Sequence, residues 1–170
     1  MRRVGPVIAL ALLSGAAPGH GQVLGTDAAG CAPGGGPAIL VTVTGLKDRT
    51  GELKLELYPA NEQDFLKDDR DLIRQGKVFR RVRVPTPPAG SPALCIRVPH
   101  PGRYALLLTH NRDGKNKFSI WSDGAGFASN RRLGRSRPKV DQALIDVAGV
   151  VAVTIRTQYL RGLGGFGFAD

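Results

Sequence analysis

Leu53-Lys54-Leu55-Glu56-Leu57-Tyr58 alternates apolar and polar side chains with a period of two. Successive side chains of a strand point to opposite faces, whereas a helix gathers every third and fourth residue onto one side. The stretch therefore predicts a half-buried strand, with Leu53, Leu55 and Leu57 inward and Lys54, Glu56 and Tyr58 outward. Upstream, Ile39, Val41 and Val43 share one face, with Thr42 and Thr44 opposite. Asp48 to Gly51 lies between the two patterns and has turn composition, so the pair reads as a hairpin.

Downstream the period changes. Asn61 can cap a helix, with Asp64 three residues on, and Phe65, Leu66, Leu72 and Ile73 recur at helical spacing before Gly76. This predicts one short helix or two turns inserted between strands. Alternation returns at Val82 and Val84, set against Arg81 and Arg83, and again from Ala93 to Val98 after the proline-rich turn Pro85 to Pro92. From Arg103 to His110 both faces are apolar, the mark of a central strand. Ala143, Ile145 and Val147 alternate, as do Val151, Val153, Ile155 and Tyr159. About seven short strands separated by turn signals predict an all-β fold, a two-sheet immunoglobulin-like sandwich. It carries one short helical insertion and a long loop from Asn111 to Lys139. The sandwich is expected over residues 38–160, after a flexible Gly/Ala/Pro-rich lead-in at 22–37 and before a loose Gly/Phe-rich tail at 161–170.

Composition bounds the function. The chain has 170 residues, with 24 Lys plus Arg against 14 Asp plus Glu, a formal charge of +10. That length suits one domain with tails, and 42% apolar residues are enough for a core. Two cysteines are too few for a disulfide-framework miniprotein or a four-cysteine zinc site, and three histidines leave little for metal or acid–base chemistry. Arg2 and Arg3, the apolar run Val7 to Leu13, and the small residues around Gly19 and Gly21 have the layout of a secretory signal peptide at 1–21. Cleavage is expected before Gln22, or earlier at Ser14 and Ala16; an uncleaved N-terminal anchor is the alternative. The expected location is therefore periplasmic or secreted. No later stretch approaches the roughly 20 apolar residues of a membrane span, so the mature chain is expected to have no transmembrane segment. In an oxidising compartment Cys31 and Cys95 read as a structural disulfide, because a redox-active pair uses closer spacing. Alternation puts Cys95 and Arg97 on the outer face of their strand, so the bridge would tack the lead-in onto the outside of a sheet.

Four stretches, in their order and spacing, carry a resemblance. They are Val41-Thr42-Val43-Thr44-Gly45-Leu46 with Gly51 and the strand after it; Asp64-Phe65-Leu66; Pro101-Gly102-Arg103-Tyr104-Ala105 running into His110; and Gly124-Ala125-Gly126-Phe127-Ala128-Ser129-Asn130 after Trp121. From Val41 to Tyr159 the chain resembles the bacterial domain-of-unknown-function family 2141 of exported proteins. The resemblance implies a β-sandwich and export, and no activity. It also implies an acidic, calcium-type loop after the strand-end histidine, and here the chain departs from it. The run His110-Asn111-Arg112-Asp113-Gly114-Lys115-Asn116-Lys117 has one carboxylate and three cations, a field that repels a divalent ion. An Asx turn closed by Asn111 and Asp113 is the preferred reading.

No catalytic constellation emerges from spacing. His110 ends the central strand, with Asp113, Ser119, Ser122 and Asp123 nearby, but Ser122 is in no Gly-x-Ser-x-Gly elbow. No metal or cofactor motif is present, and no glycine-rich segment follows a strand and opens a helix. Arg131, Arg132, Arg135, Arg137 and Lys139 place five cations in nine residues, following Trp121 and Phe127. Arginines beside aromatics suit anionic, partly apolar surfaces: lipid headgroups, anionic glycans or an acidic envelope protein, with nucleic acid unexpected in this compartment. The candidate binding residues are therefore His110, Trp121, Phe127, Arg131, Arg132, Arg135 and Arg137. The leading expectation is an exported non-catalytic binding module. A hydrolase using His110 with a loop Ser or Asp, and a purely structural envelope protein with a solvated basic loop, are the alternatives.

Overall fold

The computed structural model describes residues 21–115 and 117–169, so the stretch read as a signal peptide lies outside the described residues apart from Gly21. Among the described residues there are eleven strands: β1 (Val23–Leu24), β2 (Ala38–Thr44), β3 (Glu52–Pro59), β4 (Arg80–Pro85), β5 (Ala93–Arg97), β6 (Gly102–Asn111), β7 (Gly124–Phe127), β8 (Leu144–Val147), β9 (Val150–Arg156), β10 (Gln158–Leu160) and β11 (Phe166–Phe168). One sheet has the order β1-β5-β2-β9, the other β11-β10-β7-β6-β3-β4, with β8 alongside the first half of β6. The fold is an all-β sandwich with one helix, α1 (Asp69–Arg74).

The expected hairpin of β2 with β3 does not form. β2 pairs with β5 and β9, whereas β3 pairs with β4 and β6. The two strands belong to different sheets, and their apolar rows share the inner core: Ile39, Val41 and Val43 from one side, Leu53, Leu55 and Leu57 from the other. Full burial of such side chains contributes roughly 1.5–3 kcal/mol each, so the turn at Asp48–Gly51 serves the sandwich rather than a ladder. Asp48 accepts the Thr50 N–H and hydroxyl at 3.1 and 2.8 Å, and Gly51 takes φ +68° where a Cβ would lie 2.0 Å from the Asn111 carbonyl oxygen.

The second sheet is buried on both faces. Tyr58, Phe65, Leu72, Ala105, Leu107, Ala125, Phe127 and Ala143 form a second cluster on its outer side. Phe65 meets Tyr58 and Phe127 edge-on at 5.8 and 5.7 Å. The outward residues of β3 are thus not solvated as half-burial implied: Lys54 is 3% and Glu56 7% exposed, and Arg81 Nε donates to Glu56 at 2.6 Å. The insertion after β3 supplies this cover. Asn61 caps a first turn at the Asp64 N–H, Leu66 breaks it with φ +60°, and Asp68 caps α1 at the Arg70 N–H. Phe65 and Leu72 point inward, while Ile73 stays exposed.

Two segments are more ordered than their composition implies, and one expected strand is divided. In the glycine-rich lead-in, β1 pairs parallel with β5, Asp27 accepts the Arg97 N–H at 2.9 Å and pairs with Arg80, and Cys31 bonds to the buried Cys95 with Cα atoms 5.9 Å apart. Burial pushes the Asp27 carboxyl up, but Arg80 and the Arg97 N–H outweigh it and hold the group below its ordinary range. The alternating run at 150–159 is cut at Thr157, where the chain leaves one sheet for the other and bonds Thr44 O. In the Gly/Phe-rich tail, β11 pairs with β10, and Phe166 exchanges backbone bonds of 2.7 and 3.0 Å with Gly134.

The long loop expected from Asn111 to Lys139 is interrupted by β7, which lies between β6 and β10. Its inward residues are glycines because the β9–β10 crossing passes close. A Cβ on Gly124 would sit 2.4 Å from the Tyr159 ring, and one on Gly126 2.6 Å from Ile155 Cγ2 and 3.0 Å from Arg156 O.

Two measurements test these restraints. Cys95→Ala should lower the melting temperature as much as reductant does in the parent, since both remove one staple closing 64 residues, worth at most about 4 kcal/mol. Gly126→Val should destabilise by about 1–3 kcal/mol in urea denaturation, because backbone and Ile155 already fill the site.

Candidate functional site

His110 is fully buried at the end of β6. Its Nε2 donates to the Thr50 carbonyl at 2.8 Å, which leaves Nδ1 as the acceptor for the Tyr159 hydroxyl at 2.7 Å. Tyr159 in turn accepts the Lys47 N–H at 3.0 Å. Both ring nitrogens are therefore committed, one to β10 of the same sheet and one to the turn before β3, and neither meets Ser119, Ser122 or Asp123. The serine and aspartate partners of the hydrolase alternative are engaged elsewhere. Asp123, itself buried, accepts the N–H groups of Arg112 and Ser119 at 2.9 Å each. Ser122 donates to Asp113 and Asp123 at 3.2 Å. Arg112 reaches back to Asp48, whose carboxyl burial pushes up but whose hydrogen bonds from Arg112 and Thr50 hold well below the usual range. Asp113 closes an Asx turn on the Lys115 N–H at 3.0 Å, and Asn111 Nδ2 donates to Glu52 and Lys115 O. Asn116 lies outside the described residues.

Burial also pushes the His110 pKa below its ordinary 6.5 and the Tyr159 phenol up to about 12. In the unfolded chain the imidazole takes a proton near pH 6.5, while in the fold it stays neutral to lower pH. The unfolded state thus binds more protons just below that value, and stability falls as pH drops from 6.5 towards the depressed folded value. The melting temperature should decline through this window in the parent, and a His110→Gln variant, though less stable throughout, should lose that slope. An unchanged slope would place its origin elsewhere.

The residues beyond this loop divide. Phe127 is 2% exposed within the outer cluster and cannot touch a ligand, because β7 turns it onto Phe65. Trp121 is 81% exposed. Arg131 pairs with Asp141 at 2.8 Å, and Arg137 donates to the Phe65 carbonyl at 3.3 Å. Among the described residues Arg132 and Arg135 have no acidic partner within ion-pair distance. His110 faces between the sheets and is separate from these arginines, so the seven expected site residues do not converge.

What the fold does assemble is a half-open cleft of about 370 Å³ on the outer side of the second sheet. Ala125, Leu160 and Phe166 come from β7, β10 and β11; Phe118 and Ile120 come from the loop before β7; Leu133 to Pro138 bring Arg135 and Arg137 to its margin. Phe118 and Phe166 stack with centroids 6.1 Å apart. A neighbouring cleft of about 370 Å³ gathers Arg132, Arg156 and Arg161 around Gly167 and Phe168. Sequence reasoning found the arginine run but missed Phe118, Ile120, Leu160 and Phe166. One of these, Phe166, lies in the tail read as loose, and one available signal was the apolar group Phe118, Ile120 and Trp121 between Lys117 and Ser122.

A family model described as an uncharacterized protein conserved in bacteria, DUF2141, matches residues 41–154. No curated protein and no solved structure matches the chain. The matched stretch holds the loop before β7 and the arginine run, while Leu160 and Phe166 of the cleft lie beyond it. With two thirds of its length matched, and with the sandwich that the four quoted stretches imply, the chain belongs to this bacterial family.

Proposed function

We propose that the protein is an exported, non-catalytic binding module that engages an anionic component of the bacterial envelope through its basic loop at 131–139. The observation that carries this reading is that Arg135 lines an apolar cleft and Arg132 the cleft next to it, neither with an acidic partner among the described residues. An arginine held by a carboxylate projects little field, whereas unpaired arginines focus positive potential over the surface around them. Between Lys117 and Ala169 eight cations stand against three carboxylates, and Arg156 of β9 stands over the Phe168 ring of the tail at 4.6 Å. The tethering of both His110 nitrogens supports a binding role over a hydrolytic one. The signal-peptide layout of residues 1–21 supports export.

Mature protein should sediment with washed bacterial envelopes at low ionic strength and be released near physiological salt, where the Debye length shrinks to about 8 Å. The double variant Arg132→Ser, Arg135→Ser, which spares the Arg137 contact with Phe65, should stay in the supernatant with an unchanged melting temperature. Sedimentation of that variant equal to the parent's would end the proposal.

A further inference from the structure

We infer that the cleft face docks on an anionic lipid bilayer, with Trp121, Leu163 and Ile120 entering the boundary between headgroups and acyl chains and Arg132 and Arg135 at the phosphates. This rests on the reading that the basic loop engages an anionic envelope component, and it names that component.

Among the described residues six large apolar side chains stay exposed; Ile73 of α1 and Val150 of β9 stand singly, and the other four gather around one place. Trp121 is 81%, Leu163 88%, Ile120 49% and Phe118 42% exposed. Phe118 and Ile120 line the apolar cleft, and Trp121 follows Ile120 directly. Leu163 follows Gly162, which lines the cleft from the other side. The two most exposed residues therefore stand at the cleft margin on separate loops. Single exposed apolar residues need no explanation, but a contiguous group bordered by cations marks an interaction surface. A soluble glycan gives Leu163 and Ile120 nothing apolar to meet. An acidic protein would meet the arginines, but the bilayer meets both halves at once. Tryptophan sits favourably where one end is apolar and the other wet, and guanidinium pairs with phosphate in fork geometry. Each basic residue near an anionic surface strengthens partition about five-fold. The half-open cleft, at about 370 Å³, lies within the usual size range for ligand pockets and can take an acyl segment once the rim is immersed.

Trp121 is the chain's one tryptophan, so intrinsic fluorescence reports directly on the proposed contact. Mature protein is mixed with phosphatidylcholine vesicles, with or without phosphatidylglycerol. With phosphatidylglycerol, emission should shift to the blue and be quenched by acyl-brominated lipid; with phosphatidylcholine alone, neither should occur. Leu163→Asp should reduce the vesicle-bound fraction several-fold at an unchanged melting temperature, since the side chain is 88% exposed. Sedimentation with phosphatidylglycerol vesicles without a shift or quenching would mean adsorption by charge alone. That result overturns the docking and leaves the envelope-binding reading intact. Binding to an anionic glycan or an acidic envelope protein, with none to either vesicle, overturns it in the same way. Loss of envelope sedimentation in the parent overturns both.

Discussion

Double burial of the larger sheet is the constraint from which the rest of the structure follows. Leu53, Leu55, Leu57, Leu106 and Leu108 face the smaller sheet, while Tyr58, Ala105, Leu107, Ala125 and Phe127 face away from it and are buried too. Apolar side chains on both sides of one sheet need a cover on each. The smaller sheet supplies one. The other is supplied by connections, the insertion that carries Phe65 and Leu72 and the segment that carries Leu133, Val140 and Ala143. These connections are therefore the outer layer of the domain as well as links between strands.

A cover made of loops must also deal with the charges it encloses. Glu56 is buried beneath it and is met by Arg81, which also donates to Asp69 at the start of α1 at 2.8 Å. Desolvating a carboxylate costs several kcal/mol unless it is paired and hydrogen-bonded, so removing Arg81 alone would leave a buried charge. Asp64, also buried, plays a comparable part, since Lys77, at 2.6 Å, Asn61 and Lys67 hold its carboxyl below its ordinary range. Arg81 ties α1 to β4 through Asp69, and Asp64 joins the first turn of the insertion to its end at Lys77. The helical insertion is thereby positioned by ion pairs at its edges and by Phe65 and Leu72 at its centre.

Much of the sandwich was legible because alternation is a local signal. The rows of β2, β3, β5, β6 and β8 can be read from the chain, and so can the disulfide once export is assumed. Pairing partners are a different matter. The same inward row on β2 and β3 is satisfied by a hairpin or by two facing sheets, and nothing in the Asp48–Gly51 turn chooses between them. β7 was illegible as a strand because its inward positions are Gly124 and Gly126, chosen for the proximity of Tyr159 and Ile155 rather than for strand propensity. β10 was read as the end of the strand running to Tyr159, and β11 was hidden because a three-residue strand is too short to show a period and its glycine-rich flanks read as looseness. The cleft was lost with them, since its floor needs Leu160 and Phe166. His110 was found as a strand end, but its partners Thr50 and Tyr159 are 60 and 49 residues away in sequence.

The covering layer and the candidate site are one stretch of chain, which separates the roles of residues that look equivalent in sequence. Within 131–139, Arg131 and Arg137 are spent on Asp141 and on the Phe65 carbonyl, contacts that hold the cover in place. Arg132 and Arg135 project from the same segment toward the tail, where β11 clips Gly134 through Phe166. Fixing the cover at Gly134 sets the arginines on either side of it beside the apolar residues of β10 and β11. The burial of the larger sheet therefore accounts for the location of the basic face. The segment that must lie across Leu107 and Phe127 has its ends fixed by β7 and β8, and it carries its cations at the margin, next to an apolar cleft that the cover does not close.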